Sequence, residues 1–282
     1  MKTRSAPVTC EAADMGDTYS HGHHESVLRS HRWRTAENSA GYLLPHLDPA
    51  FHLLDVGCGP GTITVDLARL LPDGQVVGID ASHDVIASAT TDAAAEENPP
   101  PNIRFATADA YHLDAADESF DVVHAHQVLQ HLTDPVAALR EWRRVLRPGG
   151  LIAARDSDYA AFVWAPADPL LTRWLQLYHQ LTQANGAEAD AGRHLLGWAH
   201  AAGFTEVEFS SSTWTYADAE SRAWWGGLWA DRVLASSFAT QAVGYELTTH
   251  DELANISTAF RRWATHPSAT FVIVHGEILA RN

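Results

Sequence analysis

The chain has 282 residues, 46% hydrophobic and 19% charged, which suits a folded α/β protein and excludes wholesale disorder. Its 19 Lys and Arg face 35 Asp and Glu for a formal net charge of −16, so it lacks the cationic surplus that drives binding to phosphate backbones or anionic membranes. Two cysteines, Cys10 and Cys58, give no disulfide framework and no zinc-ligand spacing. With no secretory leader and no apolar run long enough to cross a bilayer, the expectation is a cytoplasmic, reduced protein.

Residues 1–17 read as a poorly ordered tail, and residues 18–282 as a single domain. Over 18–47 the recurrence of Val27, Trp33, Ala36, Ala40 and Leu43 predicts a helical cap closed by Pro45. Strands are expected at 51–56, 75–80, 103–108, 120–125 and 151–155. Between them fall a helix over 62–71, a Ser82-capped helix, and a helix opened by Asp134-Pro135; a turn at Arg147-Pro148-Gly149-Gly150 precedes the fifth strand. Strand and helix alternate, which predicts a parallel, doubly wound sheet. Beyond it, 170–183 and 194–202 read as helices, and 206–210 and 271–279 as strands six and seven. The long stretch 216–267, with a capping-box pattern at Thr249 and Glu252, is expected to form a helical lid over the carboxyl ends of the strands.

The chemistry concentrates in LLDVGCGPGT. Gly57, Gly59 and Gly61 mark a tight strand-to-helix turn where backbone can approach a ligand, but their spacing misses the dinucleotide fingerprint by one residue. A carboxylate ends each of the first three strands. Asp80 suits two ribose hydroxyls, Asp109 an exocyclic amine, and Asp55 an ammonium group rather than pyrophosphate. Together they describe an adenosine with a cationic amino-acid tail.

The chain resembles the class I S-adenosylmethionine-dependent methyltransferases, especially the ubiquinone/menaquinone-type C-methyltransferases. The likeness rests on LLDVGCGPGT, VVGID, ADAYHLDAADESFDVV, HQVLQHLTDP and LREWRRVLRPGG. It implies a Rossmann-like seven-stranded sheet with helices on both faces and S-adenosylmethionine as cofactor. By the same resemblance Gly57, Cys58, Gly59 and Gly61 line the methionine portion, Asp80 and Ala81 the ribose, Asp109 and Ala110 the adenine. His126, Gln127 and His131 border the donor. The run from Tyr19 to Arg34 is similar to that of actinobacterial small-molecule members. Tyr19, His24 and Arg29 are therefore candidates for the transfer cavity, with Arg29 able to pair with the donor's carboxylate. His21, His23 and His24 are not taken as a metal site.

Absences narrow the acceptor. The Asn/Asp-Pro-Pro-Tyr/Phe of amino-group enzymes acting on adenine or glutamine is replaced by His126-Gln127-Val128-Leu129, and no Pro-Cys nucleophile for cytosine exists. Eight of the ten tryptophans lie after residue 160. Trp164, Trp225 and Trp229, with Tyr159, are candidates for walls around a flat acceptor. Tyr19, His24, His126 and Asp158 are candidates for the proton-accepting group. The expected reaction is methylation of a small aromatic natural product by a monomer or homodimer, best at indole C3 of a tryptophan-derived compound such as a cyclodipeptide, with possible indoline ring closure. Methylation of a phenol or amine, a catalytically idle donor-binding protein and a nicotinamide-dependent dehydrogenase are the competing readings.

Overall fold

The structure, a computed structural model, describes residues 17–20 and 30–282. Eight strands form one sheet: β1 His52–Val56, β2 Gln75–Asp80, β3 Ile103–Thr107, β4 Phe120–His126, β5 Leu146–Ser157, β6 Val163–Ala165, β7 Glu206–Tyr216 and β8 Thr270–Arg281. The order is β3-β2-β1-β4-β5-β8, with β6 and β7 both pairing β8. β1 to β5 are mutually parallel, and β8 runs antiparallel to β5, β6 and β7.

Among the described residues the count is eight strands rather than seven. The extra one, β6, is a three-residue strand that continues the edge of β5 along β8. β5 also begins earlier than expected. Gly149, at φ 79°, and a register shift at Phe120/Val122 fold the predicted turn into one strand. β7 runs on through its serines to Tyr216, where the sequence suggested an end at Ser210.

The helices are α1 Ala36–Ala40, α2 Thr62–Leu70, α3 His83–Ala94, α4 Pro135–Val145, α5 Pro169–Ala184, α6 Ala191–Ala201, α7 Ala219–Ala235, α8 Ser237–Gly244 and α9 His250–Thr265. The caps are those the sequence specifies: Ser82 accepts from the Val85 amide, Asp134 from Ala137 and Thr249 from Glu252. The Glu252 carboxylate does not return the bond to Thr249; it pairs with Arg173 of α5 and accepts from Thr248. Over 30–47 the chain is not one helix but a helical turn ending at Arg32, α1 and a 3₁₀ turn, because Thr35 starts a fresh helix by capping Asn38.

Two cores flank the parallel half. α4 and α6 bury Leu139, Trp142, Leu195 and Ala199 on one face, and α1 and α2 bury Ala36, Ile63 and Leu67 on the other. A third core joins α5, α7, α8 and α9 to the β6–β8 end through Trp174, Tyr178, Trp229 and Phe260. No helix among the described residues is long and apolar enough to cross a membrane.

Candidate active site

The carboxyl ends of β1, β2, β4 and β5 open into one cavity of about 400 Å³, the size class of small-ligand sites. Its floor begins at the glycine turn. Gly57 has φ 67°, and a Cβ there would lie 2.4 Å from Val128, so only glycine holds this path. The Cys58 amide bonds to the Ile79 carbonyl at 2.9 Å, tying the turn to β2, and burial pushes the Cys58 thiol up, so it stays protonated. Gly57, Cys58 and Gly59 line the cavity; Gly61, at φ 81°, lies behind them against Phe105.

Asp80 ends β2 with its carboxylate accepting from the Gly59 amide at 3.2 Å and the Ser82 amide at 3.0 Å. It lines the cavity with Ala81 and Ser82. Asp55 is 2% exposed, accepts from Thr64 Oγ1 at 2.6 Å and meets His124 Nδ1 at 2.7 Å. Asp109 departs from expectation. It is not on the wall: its carboxylate turns outward to the Tyr111 amide and His112, while Ala108 and Ala110 line the cavity.

After β4 the chain makes an unusual turn. Gln127 sits at φ 55°, left-handed for a non-glycine residue, and its amide donates to the Arg155 carbonyl at 2.7 Å. Its side chain reaches Ser157 at 2.8 Å and His275 at 3.0 Å, and accepts from Arg34 at 2.5 Å. Arg34, absent from the sequence-based candidates, lines the cavity. Burial lowers its pKa to about 10, so it remains a cation, and its Nε–H has no hydrogen-bond partner among the described residues.

Of the wall's three histidines among the described residues, His31, His126 and His131, the last two are neutral at physiological pH. His126 is 5% exposed between Trp214 and His275, and burial reinforced by Arg34 and Arg155 holds its pKa well below the ordinary value. Neither of its ring nitrogens has a hydrogen-bond partner among the described residues. Burial takes His131 down to about 3. Tyr19 meets the His131 ring edge-on at 4.7 Å, and burial pushes its phenol up to about 12.

The rest of the wall is aromatic: Trp33, Trp214, Trp224 and Trp225 with Tyr159 and Tyr216. Trp225 and Tyr159 therefore fall where the sequence expected them. Trp164 and Trp229 do not; the first stacks on Phe271 and the second is fully buried between Trp174 and Phe260. Asp158 is also outside the cavity, held by both oxygens to Arg193 while capping the turn after β5. His24 and Arg29 lie outside the described residues. Trp214, one of the eight late tryptophans, and Arg34, within the N-terminal run, were not singled out, because a lone Trp beyond the expected end of a strand and an Arg in a polar run look like ordinary surface.

Residues 47–215 match the family described as methyltransferase domain. The chain belongs to this family. Among relatives of the methyltransferase, an uncharacterized methyltransferase of Schizosaccharomyces pombe is 33% identical over 267 residues, covering 93% of this chain and 95% of that one. A demethylmenaquinone methyltransferase of Roseiflexus castenholzii is 33% identical over 147 residues, 50% of this chain and 57% of that one. The solved structure of the YcgJ protein of Bacillus subtilis shares the fold, with TM-score 0.57 and 20% identity over 87% of this chain and 98% of that one.

The methyltransferase uses S-adenosylmethionine as donor. Its residues fit that molecule: a glycine turn with no room for a side chain, a carboxylate at the end of β2, and the half-buried Arg34 guanidinium, whose Nε–H has no hydrogen-bond partner among the described residues.

Proposed function

We propose that the methyltransferase transfers a methyl group to an electron-rich carbon of a small aromatic natural product, best at indole C3 of a tryptophan-derived compound such as a cyclodipeptide. The observation that carries this reading is a wall rich in aromatic rings and poor in strong bases. Four tryptophans suit a flat acceptor and a cationic transition state. Of the titratable groups on the wall, the Tyr19 phenol and the neutral imidazoles of His126 and His131 are ill-suited to strip a proton from a phenol or an ammonium group before transfer. An indole carbon needs no such step. The Roseiflexus castenholzii relative is named a demethylmenaquinone methyltransferase, which fits a small-molecule acceptor.

In this reading Asp80 holds the ribose hydroxyls, Gly57 to Gly59 pass under the methionine portion, and Arg34 grips its carboxylate, the role first expected of Arg29. When bound, the donor supplies an electrophilic methyl: the C2–C3 electron pair of the indole forms the new bond while the C–S pair returns to sulfur. The indole is then an iminium cation with a strongly acidic N1–H. A weak base suffices for that proton, and His126, with a bare ring nitrogen on the wall, accepts it and passes it to water. Where a neighbouring nitrogen closes an indoline ring on C2, the same histidine takes that nitrogen's proton instead. Residues 216–267 act as the lid of a single catalytic domain spanning 18–282, with Trp224 and Trp225 of α7 turned to the acceptor.

The test offers S-adenosylmethionine, carbon-13 labelled at the methyl, with a panel of indoles, tryptophan cyclodipeptides, phenols and quinols. The expected product carries a carbon-bound methyl on an indole, read from its mass and methyl shift. A methyl on oxygen or nitrogen would overturn carbon methylation while leaving the donor site in place.

A further inference from the structure

Two buried hydrogen-bond donors on the cavity wall have no hydrogen-bond partner among the described residues. Tyr216 ends β7 at 3% exposure, and Trp225 of α7 is 6% exposed. Their rings stack at 4.7 Å with an interplanar angle of 2°, and both residues line the cavity. Neither the Tyr216 hydroxyl nor the Trp225 indole N–H has a hydrogen-bond partner among the described residues. A buried donor left in this state forfeits the hydrogen bond that water would give it, so two on one wall call for a ligand that satisfies them.

The charges point the same way. Arg232 of α7 lines the cavity and is close enough to Tyr216 to bias it electrostatically. Among the described residues the carboxylates on the wall are Asp17, Asp55 and Asp80, none of them from β7 or α7. The part of the wall that β7 and α7 supply therefore presents hydrogen-bond donors and positive charge.

We propose that the stacked Tyr216–Trp225 pair, backed by Arg232, is a subsite for a hydrogen-bond-accepting oxygen of the methyl acceptor, a carbonyl or carboxylate carried beside its aromatic ring. This rests on the cavity being the acceptor site, and on neither the indole nor the carbon methylated. Such a subsite selects by exclusion as well as attraction. A ring without the oxygen enters a wall whose donors stay unpaired, the arrangement that gives the largest discrimination between near-isosteres.

The test is calorimetric titration of the protein saturated with S-adenosylhomocysteine, so that no turnover is needed. The indole set is 3-methylindole, 3-acetylindole and indole-3-acetate; the second set is toluene, acetophenone and phenylacetate. In each set the oxygen-bearing members are expected to bind at least tenfold tighter than the oxygen-free one, and the ketone-to-carboxylate ratio says which oxygen the site prefers. Tyr216→Phe and Trp225→Phe should each shrink that advantage several-fold. Because Tyr216→Phe deletes an unpaired buried hydroxyl, its Tm should not fall. A merely structural tyrosine would instead lower Tm and weaken all members of a set equally. Equal affinities within both sets, an advantage unchanged in Tyr216→Phe, or no binding of any probe would overturn the subsite. An oxygen advantage without carbon methylation of any indole would leave the subsite standing and remove the proposed reaction.

Discussion

Asp80 carries the sharpest expectation for a single side chain. Its carboxylate accepts from two backbone amides and still faces the cavity. Asp80→Ala should weaken S-adenosylhomocysteine by ~1.5–3 kcal/mol in calorimetry, the worth of a charged hydrogen-bond partner, and unchanged affinity would remove Asp80 from the donor site. Gln127 marks the site in another way. A non-glycine residue at φ 55° costs about 1–3 kcal/mol, and here that strain presents an amide to Arg34, Ser157 and His275 at once. The places of Asp80, Gly57 and Gly59 on the cavity wall were legible in the sequence because the end of a buried strand dictates where they point. Asp109 was misjudged for a reason on the same scale. Its neighbour His112 offers a local partner three residues on, and the carboxylate turns to it and away from the cavity. Asp158 was claimed in the same manner by Arg193.

At the scale of elements, the parallel half of the sheet could be read from its alternation, and the other half could not. β7 carries Ser210, Ser211 and Ser212, which look like loop. Alternation puts Ser210 and Ser212 on one face, where both bond to Glu277 of β8, whose carboxylate also pairs with Arg155 of β5. A polar ladder across three strands thus replaces the apolar pattern that sequence periodicity looks for. β6 has too few residues for any periodicity to register. α6 docks on β8 through a contact that composition does not announce. A Cβ on Gly276 would lie 2.0 Å from the Gly192 carbonyl oxygen. Gly276→Ala should therefore cost about 1–3 kcal/mol or more in urea denaturation by forcing helix and strand apart; wild-type stability would show that α6 is free to shift.

For the whole molecule, buried histidines set the response to acid. His126, His131 and His275 all have folded pKa values below the ordinary 6.5, with burial as the leading cause. Each takes up a proton on unfolding, so its contribution is complete above about pH 6.5 and is lost as pH falls toward the folded value, about 3 for His131. Asp156 opposes them. Burial raises it from 3.8 to about 8, and its contribution grows as pH drops across that interval. Three groups against one leave a net loss of stability between pH 6.5 and 4, at roughly 1.4 kcal/mol per pH unit for each unbalanced proton. Urea midpoints at pH 7 and pH 5 check the sign: the lower pH should give the lower midpoint, and a rise would contradict it.

The position of β8 has a consequence for how the chain is made. It follows every other strand in sequence, yet in space it lies between β5 and β7. Until residues 270–281 have left the ribosome, β5 and β7 each present a bare edge where β8 will lie, and the cavity lacks the strand that aligns Tyr216 with Phe271. The nascent chain therefore carries a nearly complete donor-binding half beside an open, sticky seam. Its most vulnerable interval for misassociation comes just before the last strand inserts.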